Sequence, residues 1–278
     1  MNIKELFEKG ISILQEKNIS DYKTDALILF EEFAGFSKND LRIFPEKEVS
    51  ENQEKAFISA ICQRASETPL QYILGKWDFL DLELFVGEGV LIPRPETEEL
   101  CEKASKLLKE NGKVLDLCAG SGAIGLGICS LRKDASALCV EYYDKAFSYL
   151  DKNIEKYSLP VESKKYDVLS LPDETFGKYD LIVSNPPYIK SEDIASLQSE
   201  VKKEPLTALD GGEDGLIFYR FILKNWKQLL DEGGYMLFEI GDEQKEDIFA
   251  LFKENGFSDI KVEKDIFGND RIAYGRLK

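Results

Sequence analysis

The sequence predicts an α/β fold: a doubly wound, mostly parallel sheet of seven strands, one of them antiparallel, preceded by a small helical domain. Three observations carry this. From Lys113 onward, short apolar runs alternate with helical stretches, the pattern of a parallel sheet covered on both faces. The last two runs, Ile260 to Glu263 and Ile272 to Tyr274, follow one another without a helix, which predicts a terminal hairpin and hence one reversed strand. The first 70 residues instead carry apolar residues at helical spacing.

In the N-terminal domain, residues 1–70, Ile3, Leu6, Phe7 and Leu14 recur at helical intervals, as do Ala26, Leu27, Phe30, Phe33 and Ala34. Ser50 with Gln53 forms a capping-box pattern ahead of Phe57, Ala60, Ile61 and Arg64. Thr68-Pro69 breaks the helical pattern. Residues 71–92 turn aromatic and β-branched, and Trp77, Phe79, Leu82, Leu84 and Val86 predict a linking β-hairpin that Pro93 and Pro95 end. Trp77 and Phe79 are expected to pack between the domains. Residues 93–278 form the sheet domain: a helix over 96–110, then runs at 114–117, 137–140, 161–166, 181–183 and 235–239, with a helix reaching Tyr157.

Length and composition narrow the function. A chain of 278 residues with 43% hydrophobic and 32% charged residues fits one large domain plus a smaller one. No apolar run approaches the 18 or so residues of a membrane span, and the N-terminus does not read as a signal peptide. Five cysteines, an odd number without a C-x-x-C pair, argue against a disulfide framework and a zinc site and suit a reducing cytoplasm. There is no histidine, which excludes a Ser-His-Asp triad, a histidine base and a histidine-ligated metal; no metal site is expected. The formal charge of −16 disfavours a nucleic-acid partner and suits a basic protein partner.

Two segments carry the chemistry. The first strand runs into Asp116-Leu117-Cys118-Ala119-Gly120-Ser121-Gly122-Ala123, a glycine turn that lets backbone approach a ligand at the carboxyl end of a parallel sheet. Glu141 ends the second strand, where an acid accepts hydrogen bonds from ribose hydroxyls. The pair fits several nucleotide cofactors, and a structural turn is the plainer alternative. The fourth strand, Asp180 to Ser184, ends at Asn185-Pro186-Pro187-Tyr188. An amide or base nitrogen is a poor nucleophile because its lone pair is delocalised. The Asn185 side-chain oxygen and the Pro186 carbonyl, held rigid by the prolines, can grip its N–H groups while Tyr188 stacks on the planar group. In-line attack on a sulfonium methyl then needs positioning more than acid-base help. A Pro-Pro turn capping a strand is the bland reading of the same letters.

Over essentially its whole length the chain resembles the bacterial release-factor glutamine methyltransferases of the HemK/PrmC type, which are class I S-adenosylmethionine-dependent enzymes with a Rossmann-like sheet. The resemblance lies in Pro69 to Gly75, Ile92-Pro93-Arg94-Pro95-Glu96-Thr97-Glu98, the 116–123 loop, Ser184 to Ile189, Glu204-Pro205, Ala208 to Leu216 and Asp265 to Arg271. It implies methylation at N5 of the glutamine in the Gly-Gly-Gln motif of peptide chain release factors, with the helical domain helping to grip that partner. It also implies that Cys118, Ala119, Gly120, Ser121, Gly122, Glu141 and Val168 contact S-adenosylmethionine. Asn185, with Pro186, Pro187 and Tyr188, would meet the glutamine, Asn185 touching the cofactor too, and Arg94, Glu96 and Thr97 would line the site near the methyl group.

This chain departs from the family pattern at Cys118-Ala119, where Gly-Thr is usual, at Glu141, where Asp is common, and at Val168, where some members carry an aromatic residue. Cys118 and Ala119 can still offer backbone N–H groups. Arg94 can alternatively pair with a nearby carboxylate. Two rival functions follow from the same motifs: an adenine-N6 nucleic-acid methyltransferase, which predicts a basic groove, and a module that keeps the fold without catalysis. A monomer is expected.

Overall fold

The computed structural model describes residues 1–278. The chain forms two compact units. One comprises Met1–Lys76 together with Gln198–Lys203; the other comprises Trp77–Leu197 and Glu204–Lys278.

The first unit is helical: α1 (Ile3–Glu16), α2 (Tyr22–Leu29), α3 (Lys38–Ile43), α4 (Glu51–Ala65) and α5 (Leu70–Leu74). Local chemistry sets the starts, since α1, α3 and α4 each open on a complete capping box, Asn2 with Glu5, Ser37 with Asp40 and Ser50 with Gln53. The apolar run through Ala26 to Ala34 is not one regular helix, because α2 widens into a π turn at Phe30–Ala34 that Gly35 ends at φ +71°. Phe30 is fully buried among Phe7, Phe36 and Phe57 at ring separations of 5.2, 5.9 and 5.3 Å. The unit also encloses a charge. Arg64, 3% exposed, donates through Nε to Asp25 at 2.6 Å and through Nη2 to Glu200 at 2.6 Å. Glu200 lies in the segment that returns to this unit from far along the chain.

The linking stretch is partly helical, contrary to the strand expectation for its start: α5 occupies Leu70–Leu74 and stops at Gly75 with φ +73°. The hairpin is β1 (Lys76–Phe79) and β2 (Leu82–Phe85). Phe79 and Trp77, expected between the domains, pack inside the second unit. Phe79 joins Leu82, Leu84, Leu100 and Cys101, while Trp77 lies with Tyr149 against Val86, Val90 and Ala146.

The second unit contains α6 (Pro95–Leu107), β3 (Lys113–Leu117), α7 (Ala123–Leu131), β4 (Ser136–Glu141), α8 (Asp144–Lys156), β5 (Val161–Lys165), β6 (Tyr179–Ser184), α9 (Ile217–Phe221), β7 (Leu230–Glu239), α10 (Lys245–Glu254), β8 (Phe257–Lys264) and β9 (Asp270–Leu277). Its seven-stranded sheet has the order β5-β4-β3-β6-β7-β9-β8, and only β9 runs against its neighbours. Val114 and Leu181 face one core with Leu100, Leu126 and Leu150; Leu115 and Ile182 face the other with Tyr219, Trp226 and Phe252. Both faces are covered, which is why these strands read as near-continuous apolar runs. The strand order reverses at β3, so the loops after β3 and β6 emerge side by side, with Leu117 paired to Ser184. Ligands bind at such switch points in open α/β sheets. No helix is long and apolar enough to cross a membrane.

Candidate active site

At the carboxyl end of β3 the chain turns sharply. Cys118 adopts φ +60°, a left-handed conformation that glycine takes without strain, and Gly120 and Gly122 follow at +57° and +83°. The Ala119 N–H donates to Val140 O at 3.0 Å and the Gly120 N–H to Glu141 at 2.9 Å, so neither points at a ligand. Glu141, at the end of β4, is 7% exposed, and its other oxygen accepts from the Tyr142 and Tyr143 N–H groups at 2.8 Å each. Burial pushes its carboxyl above the ordinary range, against the pull of these three donors. A carboxylate has about four lone-pair sites, so oriented acceptor capacity is left for a diol.

A cavity opens over this turn. Cys118, Ala119, Gly120, Ser121 and Glu141 line its floor, Val168 and Asp167 one side, and Thr97, Asn185 and Pro187 the end beside β6. Val90, Leu91 and Pro93 form one wall; Pro205, Thr207 and Ala208 form another. Glu204, with a side chain 2% exposed, joins these walls by accepting from Ile92 N at 2.9 Å and pairing with Arg94.

The loop after β6 is clamped from beneath. Ile189 bridges Asp210, with Ile189 N donating to Leu209 O at 2.9 Å and Gly211 N to Ile189 O at 2.8 Å. A Cβ on Gly211 would come within 2.7 Å of Tyr188 Cα and 2.8 Å of Pro187 O, and one on Gly215 within 2.4 Å of Tyr188 O. The Ala208 to Leu216 segment is therefore glycine-rich because backbone meets backbone there. Gln244 Nε2 adds donors to Tyr188 O and Gly215 O, both at 3.1 Å.

Asn185 is held from behind. Its Nδ2 donates to Thr97 Oγ1 at 3.4 Å, and Thr97 Oγ1 donates to Glu239 Oε2 at 2.6 Å. Thr97 is 4% and Glu239 2% exposed. Burial raises the Glu239 carboxyl above its ordinary range, opposed by the Thr97 hydrogen bond and by the charges of Arg271 and Arg94.

Of the residues singled out from sequence, Cys118, Ala119, Gly120, Ser121, Glu141, Val168, Thr97, Asn185 and Pro187 share this one cavity. Five others do not line it. Gly122 is the N-cap of α7, and Arg94 is held by Glu204. Glu96 sits in the first turn of α6, Pro186 is buried, and the Tyr188 ring packs against the second core, where burial raises its hydroxyl. Sequence reasoning assigned no role to Asp167, Tyr142, Tyr143, Glu204 or Glu239. For Glu239 a signal existed: it ends β7 on the sheet edge where Glu141 ends β4.

Two family models match the chain, one described as PrmC N-terminal domain over residues 5–75, the other as Conserved hypothetical protein 95 over residues 71–220. A release factor glutamine methyltransferase of Clostridium botulinum is 35% identical over 281 residues, covering 99% of each chain. That of Clostridium acetobutylicum is 38% identical over 278 residues, covering 98% of each. A crystal structure of a methyltransferase from Pyrococcus furiosus superposes with a TM-score of 0.55 at 20% identity, over 71% of this chain and 89% of that one, a likeness of fold. With full-length identity at this level, the chain belongs to the release factor glutamine methyltransferase family.

Proposed function

We propose that this protein transfers a methyl group from S-adenosylmethionine to the side-chain amide nitrogen, N5, of the glutamine in the Gly-Gly-Gln motif of peptide chain release factors. The observation that carries the proposal is the placement of Asn185 in the same cavity as the Glu141 carboxylate, on adjoining loops of one sheet edge.

The residues present fit the cofactor. Glu141 is a buried, three-times-anchored acceptor facing the cavity, suited to a ribose diol. Gly120 leaves the floor open, since a Cβ there would meet only Val90 Cγ2, at 3.8 Å. Asp167 and Val168 offer a polar edge beside an apolar surface for a purine. When bound, the cofactor supplies an electrophilic methyl on a sulfonium sulfur. This chain supplies position. The Asn185 Oδ1, at the end of the cavity beside β6, accepts from a glutamine N–H and helps to turn the nitrogen lone pair toward the methyl. The methyl that the bound cofactor would supply replaces one amide proton of the glutamine, so the residues of this site need only hold the nitrogen and its N–H groups in place. Orientation of this kind supplies roughly 7–11 kcal/mol of a barrier, so the absence of histidine is no obstacle.

The helical residues 1–70 grip the release factor on this reading, residues 71–92, which include the β1–β2 hairpin, link them to the transferase domain at 93–278, and the −16 charge suits a basic partner. The chain acts as a monomer in the cytoplasm, a compartment that suits its five free cysteines. The test is transfer of labelled methyl to a purified release factor and to the same factor with its Gly-Gly-Gln glutamine changed to alanine. Label on the first alone is expected. Label on neither, with the cofactor still bound, would overturn the assignment and direct attention to adenine in nucleic acid.

A further inference from the structure

Thr97 has a single hydroxyl proton, and its shorter contact, 2.6 Å, is to the Glu239 carboxylate. With the positive charges of Arg271 and Arg94 and the Thr97 hydrogen bond opposing the effect of burial, the relay takes Glu239 as ionised; an ionised carboxylate only accepts, so that proton is committed to Glu239. Toward Asn185, 3.4 Å away on its other side, Thr97 Oγ1 can then only accept. Only the NH₂ end of the Asn185 amide can donate, which leaves Oδ1 as the end turned away from Thr97. An asparagine amide is nearly symmetric in shape, and without such a constraint either end can face a ligand. The chain of contacts breaks that symmetry, and all three groups are held: Thr97 in the first turn of α6, Glu239 at the end of β7, Asn185 after β6.

We infer that Glu239 is a positioning residue that, through Thr97, fixes the Asn185 amide with its oxygen toward the substrate and so selects a substrate that donates N–H groups. The inference rests on the proposed amide methylation and deepens it. Reversing the polarity of the relay reverses the amide: a glutamine at position 239 can donate its own N–H to Thr97 Oγ1, freeing the threonine proton for Asn185 Oδ1 and turning the NH₂ end toward a substrate that also donates.

The experiment measures kcat and KM for methyl transfer to a release factor, and cofactor Kd by calorimetry, for the wild type, Glu239→Gln, Thr97→Val, Thr97→Ser and the Glu239→Gln/Thr97→Val double variant. Glu239→Gln is expected to lower kcat about tenfold or more, the scale of losing one charge-assisted hydrogen bond in the transition state, with cofactor Kd within about twofold. Thr97→Val should do the same, Thr97→Ser should recover most of the loss, and the double variant should be no worse than either single one, because the three residues act as one unit. Wild-type kcat in Glu239→Gln, additive losses in the double variant, or a loss explained by cofactor Kd would overturn the inference. If Glu239→Gln does not fold, Thr97→Val against Thr97→Ser decides it. A wild-type enzyme that binds cofactor but never labels the release factor would instead defeat the underlying activity, so the two failures are distinguishable.

Discussion

Glu204 accepts a hydrogen bond from the Ile92 amide at 2.9 Å across 112 positions of sequence. With its other oxygen on Arg94, it ties together the two walls of the cavity that neighbour it on either side. Glu204→Ala leaves a buried N–H without a partner, so we predict a loss of about 1–3 kcal/mol in urea unfolding and weaker cofactor binding. Glu204→Gln keeps an acceptor for Ile92 and should lose less, because Arg94 is one-third exposed and its ion pair is screened. Equal losses in the two variants would show that the Ile92 contact is not the important one.

Gly211→Ala should damage turnover selectively. The added methyl would meet main-chain atoms of Pro187 and Tyr188, which cannot swing aside as a side chain can. The loop carrying Asn185 must shift, while the Glu141 floor is untouched. The expected outcome is a kcat reduced by tenfold or more with little change in cofactor Kd, since small displacements of a reacting group cost about 10²-fold. A parallel loss of cofactor affinity would indicate a wider collapse.

Asn185→Ala and Glu141→Ala should separate binding from chemistry. The first removes an amide-gripping acceptor and should lower kcat far more than cofactor affinity. The second removes the ribose acceptor and leaves three backbone donors partnerless, so calorimetry should show cofactor binding weakened by at least about tenfold. Unchanged affinity would remove Glu141 from the site.

Asp116 predicts a pH effect on stability. It is fully buried, accepts from Gly125 N at 3.0 Å, and its Oδ1 has no partner. Burial pushes its pKa up to about 7. Because the folded pKa exceeds the unfolded value of about 3.9, the folded state holds the extra proton. The stability linked to that proton is fully present below pH 4 or so and is lost as pH rises toward 7. Asp116→Asn has no proton to lose. Its stability relative to wild type, read from urea midpoints, should therefore increase between pH 5 and pH 8; a constant difference would mean that Asp116 does not titrate in that window.

Much of this was legible in the sequence because it is local. The runs at β3 and β6 are buried on both faces and so are continuously apolar; the Ser50–Gln53 cap lies within four residues; Glu141 and Asn185 stand at strand ends, where a parallel sheet delivers its ligand contacts. What the sequence concealed is long-range. Glu204 and Glu239 look like any acids of an acidic chain until Ile92 and Thr97, 112 and 142 positions away, are brought to them. The Tyr188 ring packs against the core that holds Tyr219, Phe238 and Phe252, residues 31 to 64 positions further along the chain. The π turn at Phe30–Ala34 hid behind a helical apolar spacing that it only locally widens.

The return of Gln198–Lys203 to the helical unit sets an order for the birth of the protein. Arg64 is buried beside Asp25, yet its second carboxylate partner, Glu200, is 136 positions further on. At about 5–20 residues per second on the ribosome, the helices wait roughly 7–27 s for that residue to be made. Throughout that interval the guanidinium lacks one of its two anions, so the N-terminal unit completes its buried charge network only after four of the seven strands of the following sheet have been synthesised. Severing the chain after Lys76 would make that waiting state permanent.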